Sequence, residues 1–100
     1  MADNDQHDYE LVYIATPEID DESISAINNR LIDVVRDQGG EMEGIDLWGR
    51  RKLAYPINNH FEGYYVLHHF QMPPSGTGEI DRALRFDEGV IRYLLMLDDN

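Results

Sequence analysis

Three consecutive basic residues, Arg50, Arg51 and Lys52, form the densest positive run in the sequence. Two guanidinium forks and an ammonium at adjacent positions suit phosphate, which arginine meets bidentately and lysine meets as a point charge. Trp48 lies just upstream and offers a ring on which an unpaired base can stack, an interaction of ~1–3 kcal/mol. Arg82, Arg85 and Arg92 are the bases that can support such a contact from elsewhere in the chain. Charge on an edge strand also guards against edge-to-edge aggregation, so the run by itself has two readings.

Other reactive residue types lead less far. His68 and His69 are adjacent on a predicted strand, so their side chains point to opposite faces and cannot share a metal. The remaining histidines, His7 and His60, fall in tail and loop, so no metal site is expected. The absence of cysteine removes disulfides, thiolate metal sites and thiol catalysis. Asp20, Asp21 and Glu22 read as a solvated helix N-terminus rather than a cation site. No glycine-rich phosphate loop, Ser/His/Asp order or recognisable carboxylate pair is present, and no enzyme or cofactor is expected.

One hundred residues with 42% hydrophobic content are enough for one packed domain and too few for two. The net charge of −12 is unevenly spread. Residues 1–49 hold thirteen acids against Arg30 and Arg36, whereas residues 50–100 hold seven acids against six bases. Because screening limits charge effects to ~8–10 Å, a basic strip can meet phosphate on an acidic protein. The acidic half is otherwise accounted for by solubility or a salty cytoplasm. The polar N-terminus lacks a signal peptide's basic start and apolar run, and no stretch approaches a membrane span. A soluble, cytoplasmic protein is expected, with residues 1–8 as a flexible acidic tail and 9–98 as the domain.

The elements that must carry these residues follow from periodicity. Tyr9 to Ala15 reads as a strand stopped by Thr16-Pro17. Asp20 or Asp21 caps a helix in which Ile24, Ile27, Leu31 and Val34 recur at helical spacing, closed by Gly39-Gly40. From Glu41 to Tyr55 the period is two. It groups Ile45, Leu47, Leu53 and Tyr55 on one side and Asp46, Trp48, Arg50 and Lys52 on the other, with a bulge suggested at Gly49. Pro56 closes that strand, and Asn58 to Gly63 reads as a connecting loop. Tyr64 to Met72 is the most strand-like run, Pro73-Pro74 a breaker, and Glu79 to Phe86 a short helix. Val90 to Leu97 reads as a last, largely buried strand. The order β-α-β-β-α-β with right-handed crossovers gives an α+β, ferredoxin-like fold: a four-stranded antiparallel sheet with two helices on one face.

The segment Leu47-Trp48-Gly49-Arg50-Arg51-Lys52-Leu53-Ala54-Tyr55-Pro56-Ile57 resembles the signature of the bacterial small-subunit ribosomal protein S6 family. The resemblance continues through Tyr9-Glu10, Pro17, Gly63-Tyr64-Tyr65, Met72-Pro73, Arg82-Ala83-Leu84-Arg85 and Val90-Ile91-Arg92-Tyr93, covering residues 8–98. It implies a ferredoxin-like fold and a structural ribosomal protein. It further implies binding to small-subunit ribosomal RNA together with a small basic ribosomal protein, S18. Arg50, Arg51 and Lys52 are then the foremost RNA contacts, with Trp48, Arg82, Arg85 and Arg92 in support. The chain departs from the family in its acidic first half and in ending at Asn100, so no long C-terminal tail is expected to wrap a partner.

The helix-free sheet face is expected to carry Val12, Ile14, Tyr65, Leu67 and His69, apolar enough to need a partner. The competing occupant is the acidic tail. Two rivals keep the fold and change the function. A ligand-sensing module would self-associate and bind a small molecule. An acylphosphatase-like enzyme would pair an arginine such as Arg50 with Asn58 or Asn59. That enzyme's arginine belongs after the first strand, where this chain has Thr16-Pro17.

Overall fold

The computed structural model describes residues 5–98. Strand β1 (His7–Ala15) is followed by helix α1 (Asp21–Asp37), strands β2 (Glu41–Ile57) and β3 (His60–Met72), helix α2 (Thr77–Arg85) and strand β4 (Val90–Leu97). A single 3-10 turn, Pro74–Gly76, leads into α2. The sheet is antiparallel in the order β2-β3-β1-β4, with both helices on one face. This is the ferredoxin-like arrangement expected from the order of elements. Strand β1 opens at His7, which pairs with Met72, so His7 and Asp8 belong to the sheet. The first half of the expected tail, residues 1–4, lies outside the described residues.

Local chemistry explains the boundaries. Asp20 caps α1, its carboxylate accepting from the Ser23 amide at 2.8 Å. Ile24, Ile27, Leu31 and Val35 form the buried stripe, with Val34 at its margin. They meet Leu11, Tyr13, Val66, Phe70 and Met72 from the sheet and Ile80 and Leu84 from α2. Gly40 follows the helix where its backbone touches β3. A Cβ there would sit 2.1 Å from the Gln71 carbonyl oxygen.

Three sequence expectations are corrected. Asn58 and Asn59 both adopt positive φ, 50° and 67°, so β2 and β3 join in a tight two-residue hairpin and no 58–63 loop exists. Asparagine tolerates the left-handed region, so the pair does the work usually given to Asn-Gly. Strand β4 is a sheet edge and not largely buried: Leu94 is 59% and Leu97 50% exposed.

The third correction concerns β2. Its ladder with β3 slips by one residue between Met42 and Gly44 and again between Leu47 and Gly49, where Gly49 takes φ +83°. Each slip moves all later side chains to the opposite face. Ile45 and Leu47 pair with His68 and Val66 on the helix side, while Leu53 and Tyr55 lie with Ile14 and Tyr65 on the other. Asp46 and Trp48 are likewise on the helix-free face, apart from Arg50 and Lys52. The four-residue groups read from strict alternation are thus split in half by a bulge.

Candidate nucleic-acid and protein interface

The β2–β3 hairpin outruns β1, and the domain is accordingly 46 Å long and 27 by 21 Å across. Arg50, Arg51 and Lys52 sit on this arm, all exposed. Arg50 pairs with Tyr64 and Lys52 with Glu62 on the helix side, while Arg51 faces the other way with Gly63. The bulge brings Trp48 to Arg51's face, where the Arg51 guanidinium lies 5.3 Å from the indole centroid. The other side of this cluster is Tyr65, its ring stacked with Trp48.

The eight Lys and Arg residues divide into two groups. Arg30, Arg36, Arg82 and Arg85 each meet a carboxylate: Asp87 at 2.9 Å, Asp33 at 3.4 Å, Glu79 at 3.7 Å and Asp81. All four are on helices. Among the described residues, Arg50, Arg51, Lys52 and Arg92 have no carboxylate within ion-pair distance. All four are on strands, and Arg92 reaches across to the Tyr55 hydroxyl at 3.4 Å. The structure therefore gathers Arg50, Arg51, Lys52, Trp48 and Arg92 at one end of the sheet. Arg82 and Arg85 lie on α2 instead, beside acids. The Asp81 carboxylate also accepts from Tyr93, the principal cause of its lowered pKa, with the neighbouring Arg85 contributing. That tie holds α2 to β4.

The helix-free face is built in rows across the sheet. Tyr65, Ile14 and Arg92 form one with Trp48 at its end; Asp46, Leu67, Val12 and Leu94 the next; Gly44, His69, Glu10 and Met96 the third. Val12, Ile14, Tyr65, Leu67 and His69 thus share one face of the sheet, as alternation on β1 and β3 required, with Ile14 buried there beside Leu53 and Tyr65. Leu94, Met96, Tyr55 and Trp48 extend it, and sequence reading assigned the first two to a buried strand. The rim is acidic at Asp46 and Glu10, the latter 3.8 Å from the His69 imidazole. Aromatic and basic groups hold the Trp48–Arg92 end. The face is therefore polarised.

His68 faces the core. Its Nε2 and the Tyr13 hydroxyl both approach Asn28 Oδ1, at 2.8 and 2.7 Å, and one amide oxygen has lone pairs for both donors. Burial, with His69 adding a smaller push, lowers the His68 pKa to about 4. The ring is neutral and its Nδ1 is without a partner. In the sequence Asn28 is one of the polar residues between the apolar positions of α1. Nothing in the 3.6-residue period marks it as the acceptor of a core network. Among the described residues no three potential metal ligands come together, and no helix is long and apolar enough to cross a membrane.

Comparison with known proteins gives a consistent match. The model of the family described as Ribosomal protein S6 matches residues 8–96. The chain is 39% identical over 92 residues to small ribosomal subunit protein bS6 of Caldanaerobacter subterraneus subsp. tengcongensis, covering 92% of this chain and 97% of that one. It is 41% identical to the Clostridium novyi protein of the same name, over 88% of this chain and 93% of that one. The crystal structure of 30S ribosomal protein S6 from Thermotoga maritima superposes with a TM-score of 0.85 at 22% identity. It covers 93% of this chain and 88% of that chain, a likeness of fold.

Proposed function

The chain belongs to the ribosomal protein S6 family, and on that premise we propose that it is a structural, non-enzymatic component of the small ribosomal subunit in the cytoplasm. It binds small-subunit ribosomal RNA through the β2–β3 arm and a small basic ribosomal protein, S18, through the helix-free sheet face. The observation that carries the RNA contact is the division of the cations. The four that carboxylates neutralise lie on the helices, and the four left unneutralised lie together with Trp48 at one end of the sheet. Phosphate binding draws on local positive potential, so an overall charge of −12 does not oppose it.

The protein contact rests on the apolar rows of Leu67, Val12 and Leu94 with their acidic rim, a surface complementary to a cationic partner. Neutralising the acidic surface also favours RNA, so the two ligands bind cooperatively, each aiding the other by ~1–3 kcal/mol. The test of the RNA contact is Arg50→Ala/Arg51→Ala/Lys52→Ala. Its RNA affinity should fall and the slope of log K against log salt should drop by roughly one to three units. An unchanged slope would remove the strip from the interface. Titrating RNA with and without S18 tests the coupling, and equal affinities would refute it.

A further inference from the structure

Strand β3 does not stop where β1 leaves the sheet. The β1–β3 ladder ends at Ala15 and Tyr64, whereas β3 begins at His60, so residues 60–63 run on with β2 as their ladder partner. The divergence opens a cleft of about 560 Å³. Pro17 and Glu18 bound it on one wall, and Lys52, Asn59, Phe61 and Glu62 on the other. That volume accommodates one nucleotide. Phe61 is 72% exposed on this cleft. A phenyl ring left open on a cleft that the unneutralised Lys52 also lines has the composition of a stacking platform with a phosphate contact.

We infer that this cleft receives a single unpaired guanine nucleotide of the bound RNA. Phe61 stacks on the base, Lys52 takes its phosphate, and a carboxylate of Glu18 or Glu62 accepts from its Watson–Crick edge. Guanine is singled out because its N1–H and N2–H donors lie side by side, matching the two oxygens of one carboxylate. Adenine and cytosine place an acceptor beside their amino group, and uracil places one N–H between two carbonyls. Unpaired bases splayed onto aromatic rings and read along that edge are the usual mode of sequence-specific RNA recognition. Carboxylates within a phosphate-binding region weaken affinity unless they are used, and here a base donor uses them. The assignment rests on the RNA reading above and adds a second, base-specific contact to it.

The experiment compares short oligouridylates carrying one central G, A or C with the all-U parent, titrated by fluorescence anisotropy. The G oligomer should bind about tenfold more tightly than the others. Phe61→Ala, which removes an exposed ring, should abolish most of that gain. Glu18→Gln/Glu62→Gln should erase the preference for G while all-U binding persists. Arg50→Ala/Arg51→Ala, outside the cleft, should weaken all four oligomers alike. Equal affinity for the four, or a G preference that survives Phe61→Ala, overturns the cleft assignment and leaves the arm's phosphate contact standing. An Arg50/Arg51 variant with undiminished affinity for all four overturns both.

Discussion

The indole of Trp48 stacks on the ring of Tyr65, centroids 6.2 Å apart and planes inclined by 14°. Trp48 shares the helix-free face with Asp46, and the bulge that follows turns Arg51 onto that same face beside the indole. Such an aromatic pair contributes ~0.5–1.5 kcal/mol beyond its buried area. Tyr65→Ala should lower stability by at least that amount in urea denaturation. Because Trp48 is the single tryptophan, its emission should also shift to the red as the ring loses cover. Unchanged emission would show that the pair is not formed in solution.

The buried His68 makes stability depend on acid. Its folded pKa, about 4, lies below the ordinary histidine value of 6.5. Between these values the unfolded chain binds a proton that the native core excludes, so stability falls as pH drops through this window. The contribution reaches ~3 kcal/mol at the acid end. His68→Leu leaves Tyr13 donating to Asn28 and removes the titration. The stability difference between wild type and variant, measured by denaturation from pH 7 to pH 4, should narrow as pH falls. Parallel curves would contradict the neutral buried ring.

On the helix-free face Leu67 stands between Asp46 and Val12. Leu67→Asn should fold normally and lose under ~1.5 kcal/mol, since the residue is half-buried and lies outside the helix-side core. Its incorporation into small subunits on a sucrose gradient should nevertheless be lost. Global unfolding of the variant would assign this face to the core.

Two glycines separate close approach from open space. A Cβ at Gly40 would meet the Gln71 carbonyl oxygen at 2.1 Å and the Met72 Cα at 2.9 Å, whereas one at Gly78 meets nothing within 4 Å. Gly40→Ala should destabilise by ~1–3 kcal/mol or more. Gly78→Ala, in α2, should be neutral or stabilise by up to ~1 kcal/mol. Thermal melts of the two variants suffice, and a tolerated Gly40→Ala would mean that β3 does not pass so close to the end of α1.

The acidic surface should make stability depend on salt. With twenty acids against eight bases, self-repulsion opposes the compact state at low ionic strength and is screened as the Debye length falls to ~3 Å at 1 M. The melting temperature should rise with KCl, most steeply at the low end. A flat response would place the repulsion equally in the unfolded chain.

Much of this protein was legible in its sequence. Alternation on β1 and β3 identified the outward residues Val12, Ile14, Tyr65, Leu67 and His69 because those strands are regular, and a period of two then assigns faces without further information. Helical spacing gave α1 its stripe, and the basic strip was visible because its residues are consecutive. The continuous register of motifs from residue 8 to 98 pointed to the family. Tertiary structure decided whatever depends on a second segment. Bulges in β2 change which face Arg50, Lys52, Leu53 and Tyr55 occupy, and a slip of one residue is set by pairing with β3 rather than by local propensity. The four neutralised arginines were indistinguishable by type from the four cations that remain. Their carboxylates are adjacent helical turns in three cases and, for Arg30, Asp87 from a distant segment. Asn28 became a core acceptor because α1 lies over Tyr13 and His68. Phe61 became a cleft wall because β1 turns away at Pro17 while β3 continues, a relation between two strands that neither one encodes alone.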